Sequence, residues 1–234
     1  MIIYNERDVV LHHSSWEDAL PEIGMVDAIV TDPPYSERTH VANDDVNQDL
    51  HFASWSPEDA TIAAIEWSKK CRGWIVVMTD HVLLPAWERG FKTMDRYVFA
   101  PLPFVKMGGG FRVMGDGPSS WTVWIIVARP RNREYATWGC LPGAYIQPRA
   151  GNDQVITGGK TIWIMQQLVE HYTRHGEVVL DPCAGAGTTG LACRMLGRKS
   201  VLIECRDAVL PETLALLRGN PRPMARQEEL FGSS

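Results

Sequence analysis

The chain has 234 residues, 45% of them hydrophobic, with a formal net charge of −5 and a pI of about 5.8. That length supports one sizeable core. The acidic balance excludes a globally basic nucleic-acid coat, so attraction to a polyanion has to come from a local patch. Five scattered cysteines, Cys71, Cys140, Cys183, Cys193 and Cys205, include no Cys-x-x-Cys pair. A disulfide framework or zinc site is therefore not expected, and a reducing cytosol fits. His171 and His175 lie four apart, but no Glu follows His171, so a solvated helix face is the better reading than a metal site. Charge comes too early in Met1–Val10 for a secretory signal and no apolar run reaches membrane length, so a cytoplasmic protein without a membrane partner is expected.

The N-terminus offers two short strand-like runs, Ile2–Tyr4 and Val9–His12, and Ser15 then opens a short helix with Glu17 and Asp18 in its first turn. Val26–Val30 is apolar and β-branched, a buried strand of a parallel sheet. It runs into Thr31-Asp32-Pro33-Pro34-Tyr35. Two prolines forbid helix and leave the strand end stiff and extended. A carboxylate, a carbonyl and a ring thus stand at the carboxyl edge of a sheet, where open α/β folds bind ligands. Ser36–Ser56 is a long polar stretch, placed to act as a mobile cover beside Tyr35. A capped helix is expected over Pro57–Cys71, then a buried strand Trp74–Thr79, a short helix Pro85–Gly90, and strands Arg96–Ala100 and Trp121–Ala128. Lys106–Ser120 is a glycine-rich link lacking the Gly-Lys-Ser/Thr of a phosphate loop.

Arg129–Gly159 breaks the alternating pattern. Arg129, Arg131, Arg133 and Arg149 are interleaved there with Tyr135, Trp138 and Tyr145, a mixture suited to a DNA-binding surface or to a solvated loop anchored by a few rings. An amphipathic helix follows over Lys160–Tyr172, then a strand Glu177–Pro182, a turn Cys183-Ala184-Gly185-Ala186-Gly187-Thr188-Thr189-Gly190, a helix Leu191–Leu196, a strand Ser200–Cys205, a helix Ala208–Leu217 and a tail Pro221–Ser234. Strand, glycine turn, helix, strand and Glu204 together make a βαβ nucleotide-binding unit. Gly185 and Gly187 allow close backbone approach, and Glu204 can accept two ribose hydroxyl hydrogens. Asp181 at the first strand end repels phosphate and suits a cationic group. An α-amino group beside a sulfonium qualifies, which points to S-adenosyl-L-methionine rather than a nicotinamide dinucleotide.

Asp32-Pro33-Pro34-Tyr35 upstream of Asp181-Pro182-Cys183-Ala184-Gly185-Ala186-Gly187-Thr188-Thr189 resembles the amino-group DNA methyltransferases. The order, with the catalytic motif first and the cofactor motif last, is similar to their beta group. The resemblance covers nearly the whole chain. It implies an α/β, doubly wound, Rossmann-like sheet, circularly permuted and mostly parallel with a reversed strand, in a single domain with a short target-recognition insertion near residues 129–159. It also implies S-adenosyl-L-methionine as cofactor and DNA as partner. Asp32 and the Pro33 carbonyl would accept the hydrogens of the target amine, with Pro34 and Tyr35 completing the motif and Tyr35 stacking on a flipped base.

The cofactor set implied by the resemblance is Ser15, Asp32, Lys160, Asp181, Pro182, Cys183, Ala184, Gly185, Gly187, Thr188, Thr189 and Glu204. The chain departs from the family in several places. Cys183 stands where Phe is usual, Ser15 or Asp18 replaces an Asp, Arg206 replaces an acid, and Gly159-Lys160-Thr161 stands for Gln-Lys-Pro. Lys160 is expected on the methionine carboxylate. Asp at the motif head favours N6-adenine, with N4-cytosine as the alternative. A non-catalytic DNA- or cofactor-binding relative is a further reading, opposed by the intact Asp32 and Tyr35. Relatives are often dimers. Finally, Gln227-Glu228-Glu229-Leu230-Phe231 resembles the Gln-x-x-Leu-Phe peptide that docks on bacterial sliding clamps.

Overall fold

The computed structural model describes residues 1–41, 54–107, 121–147 and 160–219. Much of the Ser36–Ser56 and Lys106–Ser120 stretches, Arg149, and the tail with its Gln227–Phe231 peptide lie outside the described residues. The strands are β1 Ile2–Glu6, β2 Val9–His13, β3 Ala28–Thr31, β4 Ile75–Thr79, β5 Tyr97–Val98, β6 Leu102–Lys106, β7 Thr122–Arg129, β8 Tyr145–Gln147, β9 Val178–Asp181 and β10 Lys199–Glu204. The α-helices are α1 Trp16–Ala19, α2 Glu37–Val41, α3 Pro57–Lys70, α4 Leu84–Thr93, α5 Arg133–Ala136, α6 Ile162–Tyr172, α7 Thr188–Met195 and α8 Leu210–Arg218.

One sheet runs β1-β2-β10-β9-β3-β4-β7-β6-β8, with β5 also paired to β7. β2, β10, β9, β3 and β4 are mutually parallel, and β7 runs against β4 as the reversed strand. β1 is a second reversed strand, folded back on β2 through Arg7-Asp8, both at positive φ, the twist that a two-residue hairpin turn requires. Every residue of β3 and β4 is buried, because helices cover both faces. Alternation divides the side chains. Ile29, Ile75 and Val77 join the cluster under α3 and α4, whereas Val30, Val76 and Met78 join the one under α6 and α7.

α3 opens as its sequence demands. Ser56 and Asp59 form a reciprocal capping box, with Pro57 in the first turn. The face Ile164, Leu168 and Tyr172 of α6 is buried, with Met165 and Val169 beside it. β6 and β8 were not legible as strands. Pro103 interrupts β6, and β8 is three residues of an irregular segment. α7 begins at Thr188 rather than Leu191, because Gly187 in the left-handed region ends the turn there. No helix among the described residues is long and apolar enough to cross a membrane.

Candidate active site

Parallel pairing brings the ends of β3, β4, β9 and β10 to one rim of the sheet. β3 and β9 are direct neighbours there, although their residues are far apart in sequence. The Thr31 hydroxyl donates to Asp181 Oδ1 at 2.6 Å across 150 positions. Asp181 also accepts from the Thr189 hydroxyl at 2.5 Å and the Cys183 N–H at 3.1 Å. It is only 2% exposed. Burial pushes its carboxyl up to about 6, against the pull of these hydrogen bonds.

Beyond Thr31 the Asp-Pro-Pro-Tyr turn folds on itself. The Tyr35 hydroxyl donates to Asp32 Oδ1 at 2.8 Å, and Lys160 Nζ donates to Oδ2 at 2.7 Å. The Lys160 ammonium also stands 5.0 Å from the centre of the Tyr35 ring. Burial, followed by the Asp32 charge, holds the Tyr35 phenol well above its ordinary range, so it stays a donor. A carboxylate has about four lone-pair sites, so Asp32 keeps acceptor capacity with both contacts made. The Trp55 N–H donates to the Tyr35 carbonyl at 2.9 Å, and Trp55 stacks on Trp87 at 5.9 Å. The turn is thereby tied to the tryptophan cluster under α3 and α4.

On the β9 side, Gly185 (φ 52°) and Gly187 (φ 79°) take the left-handed conformations the tight turn needs. The Gly185 N–H donates to Glu204 Oε2 at 2.7 Å. Arg206 also grips Glu204, with Nε to Oε1 at 2.8 Å and Nη2 to Oε2 at 3.1 Å. Its guanidinium lies close enough to the turn that a Cβ at Gly185 would meet Nη2 at 3.7 Å. The basic residue that replaces the usual acid therefore holds Glu204 in a two-pronged ion pair.

The remaining expectations divide. Pro33 and Pro34 lie in the same turn as Asp32, and Pro182, Cys183, Ala184 and Thr188 line the neighbouring one. Ser15 stands near the rim, after β2, but its hydroxyl caps α1 through the Asp18 N–H and also donates to Asp18. Lys160, expected on the methionine carboxylate, donates to Asp32. The structure places Arg129, Arg131 and Arg133, expected as a DNA surface, away from the rim that carries Asp32. β7 is antiparallel, with Trp124 level with Thr79 and Ala128 level with Ile75, so the chain has crossed ~17 Å to the opposite rim by Arg129. There Arg129 covers the Tyr97 ring at 4.8 Å and Arg131 pairs with Asp95 at 3.2 Å. Arg133 begins α5, whose Tyr135 packs edge-on to Trp74, the residue before β4, with ring centres 6.1 Å apart. Sequence reasoning also missed Asp80, which directly follows β4. Its signal was available, an acid closing a buried strand just as Asp32 and Asp181 do.

Acids at the carboxyl rim and a glycine turn opening a helix between neighbouring parallel strands make the kind of crevice in which open α/β sheets bind ligands. A DNA methylase family model matches residues 137–213, the span that includes Asp181, the glycine turn and Glu204. The fold is similar to M1.HpyAVI in its complex with SAM, with a TM-score of 0.67 at 16% identity over 90% of this chain and 100% of that one. It is similar to the DNA modification methylase TTHA0409 of Thermus thermophilus, complexed with S-adenosyl-L-methionine, with a TM-score of 0.64 at 16% identity over 90% and 95%. The cytosine-N4-specific PvuII DNA methyltransferase gives 0.65 at 11% identity over 92% and 88%. No curated protein matches by sequence. The family model covers about a third of the chain, and the structural matches share its fold.

Proposed function

We propose that this chain methylates the exocyclic N6 amine of adenine in DNA, using S-adenosyl-L-methionine and a base extruded from the duplex. The observation that carries the reading is the meeting of the two motifs at adjacent strand ends, joined by the Thr31–Asp181 hydrogen bond. When bound, the cofactor supplies an electrophilic methyl group on a sulfonium. The donor set fits it. Asp181 offers a buried carboxylate to an ammonium, and Glu204 offers acceptors to ribose hydroxyls. Asp32 and the Pro33 carbonyl accept the two amine hydrogens, turning the nitrogen lone pair toward the methyl group. Tyr35 stacks on the base and steadies Asp32 through its hydroxyl. Extrusion of the base costs a few kcal/mol, and most of the acceleration comes from orientation. DNA reaches the carboxyl rim, where the exposed Arg38 and half-buried Lys106 lie.

Adenine is preferred because Asp heads the motif. DNA modified by the protein, digested to nucleosides and weighed by mass spectrometry, is expected to contain N6-methyl-2′-deoxyadenosine. N4-methyl-2′-deoxycytidine in its place overturns the adenine assignment. A second expected result concerns Arg206. Freeing Glu204 from the guanidinium leaves, among its described partners, only backbone N–H groups competing with ribose hydroxyls for it. A hydrogen bond to a charged group contributes about 1.5–3 kcal/mol, so Arg206→Asn should tighten cofactor binding by about tenfold in titration calorimetry. Weaker binding shows that the arginine contacts the cofactor itself.

A further inference from the structure

The turn that carries Asp32 and Tyr35 is held at both ends by buried carboxylates. Asp181 holds Thr31 at its start, and Asp80 holds Ser36 at its end. Asp80 stands one residue past β4, the parallel neighbour of β3, and is 7% exposed. Its Oδ2 accepts from the Ser36 N–H at 2.9 Å, the Ser36 hydroxyl at 2.5 Å and the Thr39 hydroxyl at 2.6 Å. Its Oδ1 accepts from the Val82 and Leu83 N–H groups, both at 3.0 Å. One carboxylate thus joins the exit of the Asp-Pro-Pro-Tyr turn to the start of α4. All five donors are neutral. A charge buried among neutral donors is costly unless fully hydrogen-bonded, and a plain helix cap does not need three further donors from another segment. Burial alone would raise this carboxyl, yet its hydrogen bonds leave it lowered, so it is an ionised acceptor at neutral pH.

We propose that Asp80 is a positioning residue for methyl transfer. By gripping Ser36 and Thr39 it sets where the preceding Tyr35 ring and Asp32 carboxylate meet the extruded base. The inference rests on the reading of the function given above. Asp80 contacts the exit of the turn, while the cofactor acids Asp181 and Glu204 are held by other partners. Its loss therefore acts on turnover and leaves cofactor binding intact. Asp80→Asn keeps the shape and the Oδ1 contacts but sets an NH2 group against three donors.

The full chain, tritiated S-adenosyl-L-methionine and unmethylated genomic DNA provide the test. A misplacement of about 1 Å costs on the order of 100-fold, so kcat of Asp80→Asn should fall about 100-fold. Its cofactor Kd and KM should stay within about twofold, because the ground-state contacts to the cofactor are untouched. Ser36→Ala, which leaves the carboxylate and most of its partners, should lose about tenfold in kcat, and adding it to Asp80→Asn should cost less than the product of the two, as residues acting as a unit do. Wild-type kcat in both variants overturns the proposal. So does a loss of cofactor affinity that matches the loss of kcat, the sign of a purely structural role. If Asp80→Asn does not fold, Ser36→Ala alone decides on the same kcat and Kd readings. Absence of methyl transfer by the wild-type chain refutes the functional reading instead, so the two failures are distinguishable.

Discussion

Asp32→Ala is expected to abolish methyl transfer, with kcat falling by at least about 1,000-fold, the scale set by loss of a preorganised group aimed at the reacting atom. Cofactor affinity should stay within a few-fold. The reason is geometric. On the proposed reading Asp32 is the acceptor next to the reacting nitrogen, and its described partners are the Tyr35 hydroxyl and the Lys160 ammonium. Asp181, on the neighbouring strand end, keeps its own hydrogen bonds from Thr31, Thr189 and Cys183. Asp32→Asn keeps one carbonyl acceptor and is expected to fall between wild type and Asp32→Ala. Tritiated methyl transfer and calorimetry on the same preparation make the comparison. Wild-type turnover in Asp32→Ala refutes the assignment of this carboxylate. Parallel loss of cofactor binding shows that Asp32 also serves the cofactor, as the resemblance implies.

The second large effect is a pH dependence set by Asp181. Its carboxyl stands at about 6 in the folded protein because burial disfavours the charged form. An unfolded Asp titrates near 3.9. The folded state therefore holds the proton more tightly, and ionisation costs stability as pH rises from ~4 through ~6. Two pK units correspond to about 3 kcal/mol. The buried charge becomes useful when an ammonium reaches it. Cofactor affinity is expected to be flat above the folded value of about 6, and to fall about tenfold per unit below it as the carboxylate is protonated. Asp181→Asn should flatten both profiles. It should weaken cofactor binding by about 100-fold, in the range found when one partner of a desolvated charge pair is removed, while the free protein is at least as stable at pH 8. Calorimetric titrations at pH 5 and 8 with thermal unfolding at the same values read all of this. An affinity that does not change over this range removes Asp181 from the ammonium site.

Local signals carried far along this chain. The Ser56-Pro57-Glu58-Asp59 start of α3 is a complete helix-opening code, and it is observed as a reciprocal cap. The β-branched runs of β3, β4 and β9 name the buried strands, because only a sheet covered on both faces tolerates continuous apolar strands. The glycine turn between β9 and α7 needs positive φ at Gly185 and Gly187, and those residues supply it. Two features were hidden for different reasons. β6 contains Pro103, and the arginines after β7 look like a nucleic-acid surface because their spacing does not record strand direction. Only the antiparallel pairing of β7 with β4 reveals that Arg129 leaves the sheet at the rim away from Asp32.

The order and chemistry of the motifs were thus determined by the sequence, since strand-end acids, prolines and glycines act over a few residues. The three carboxylate partnerships were decided by the tertiary structure. Lys160 reaches Asp32 from 128 positions away and Ser36 reaches Asp80 from 44. Arg206 is close to Glu204 in sequence, yet the Gly185 N–H that shares its carboxylate comes from the neighbouring strand's turn. Such pairings depend on which strands lie side by side and which way each one runs, and no local pattern of residues encodes either.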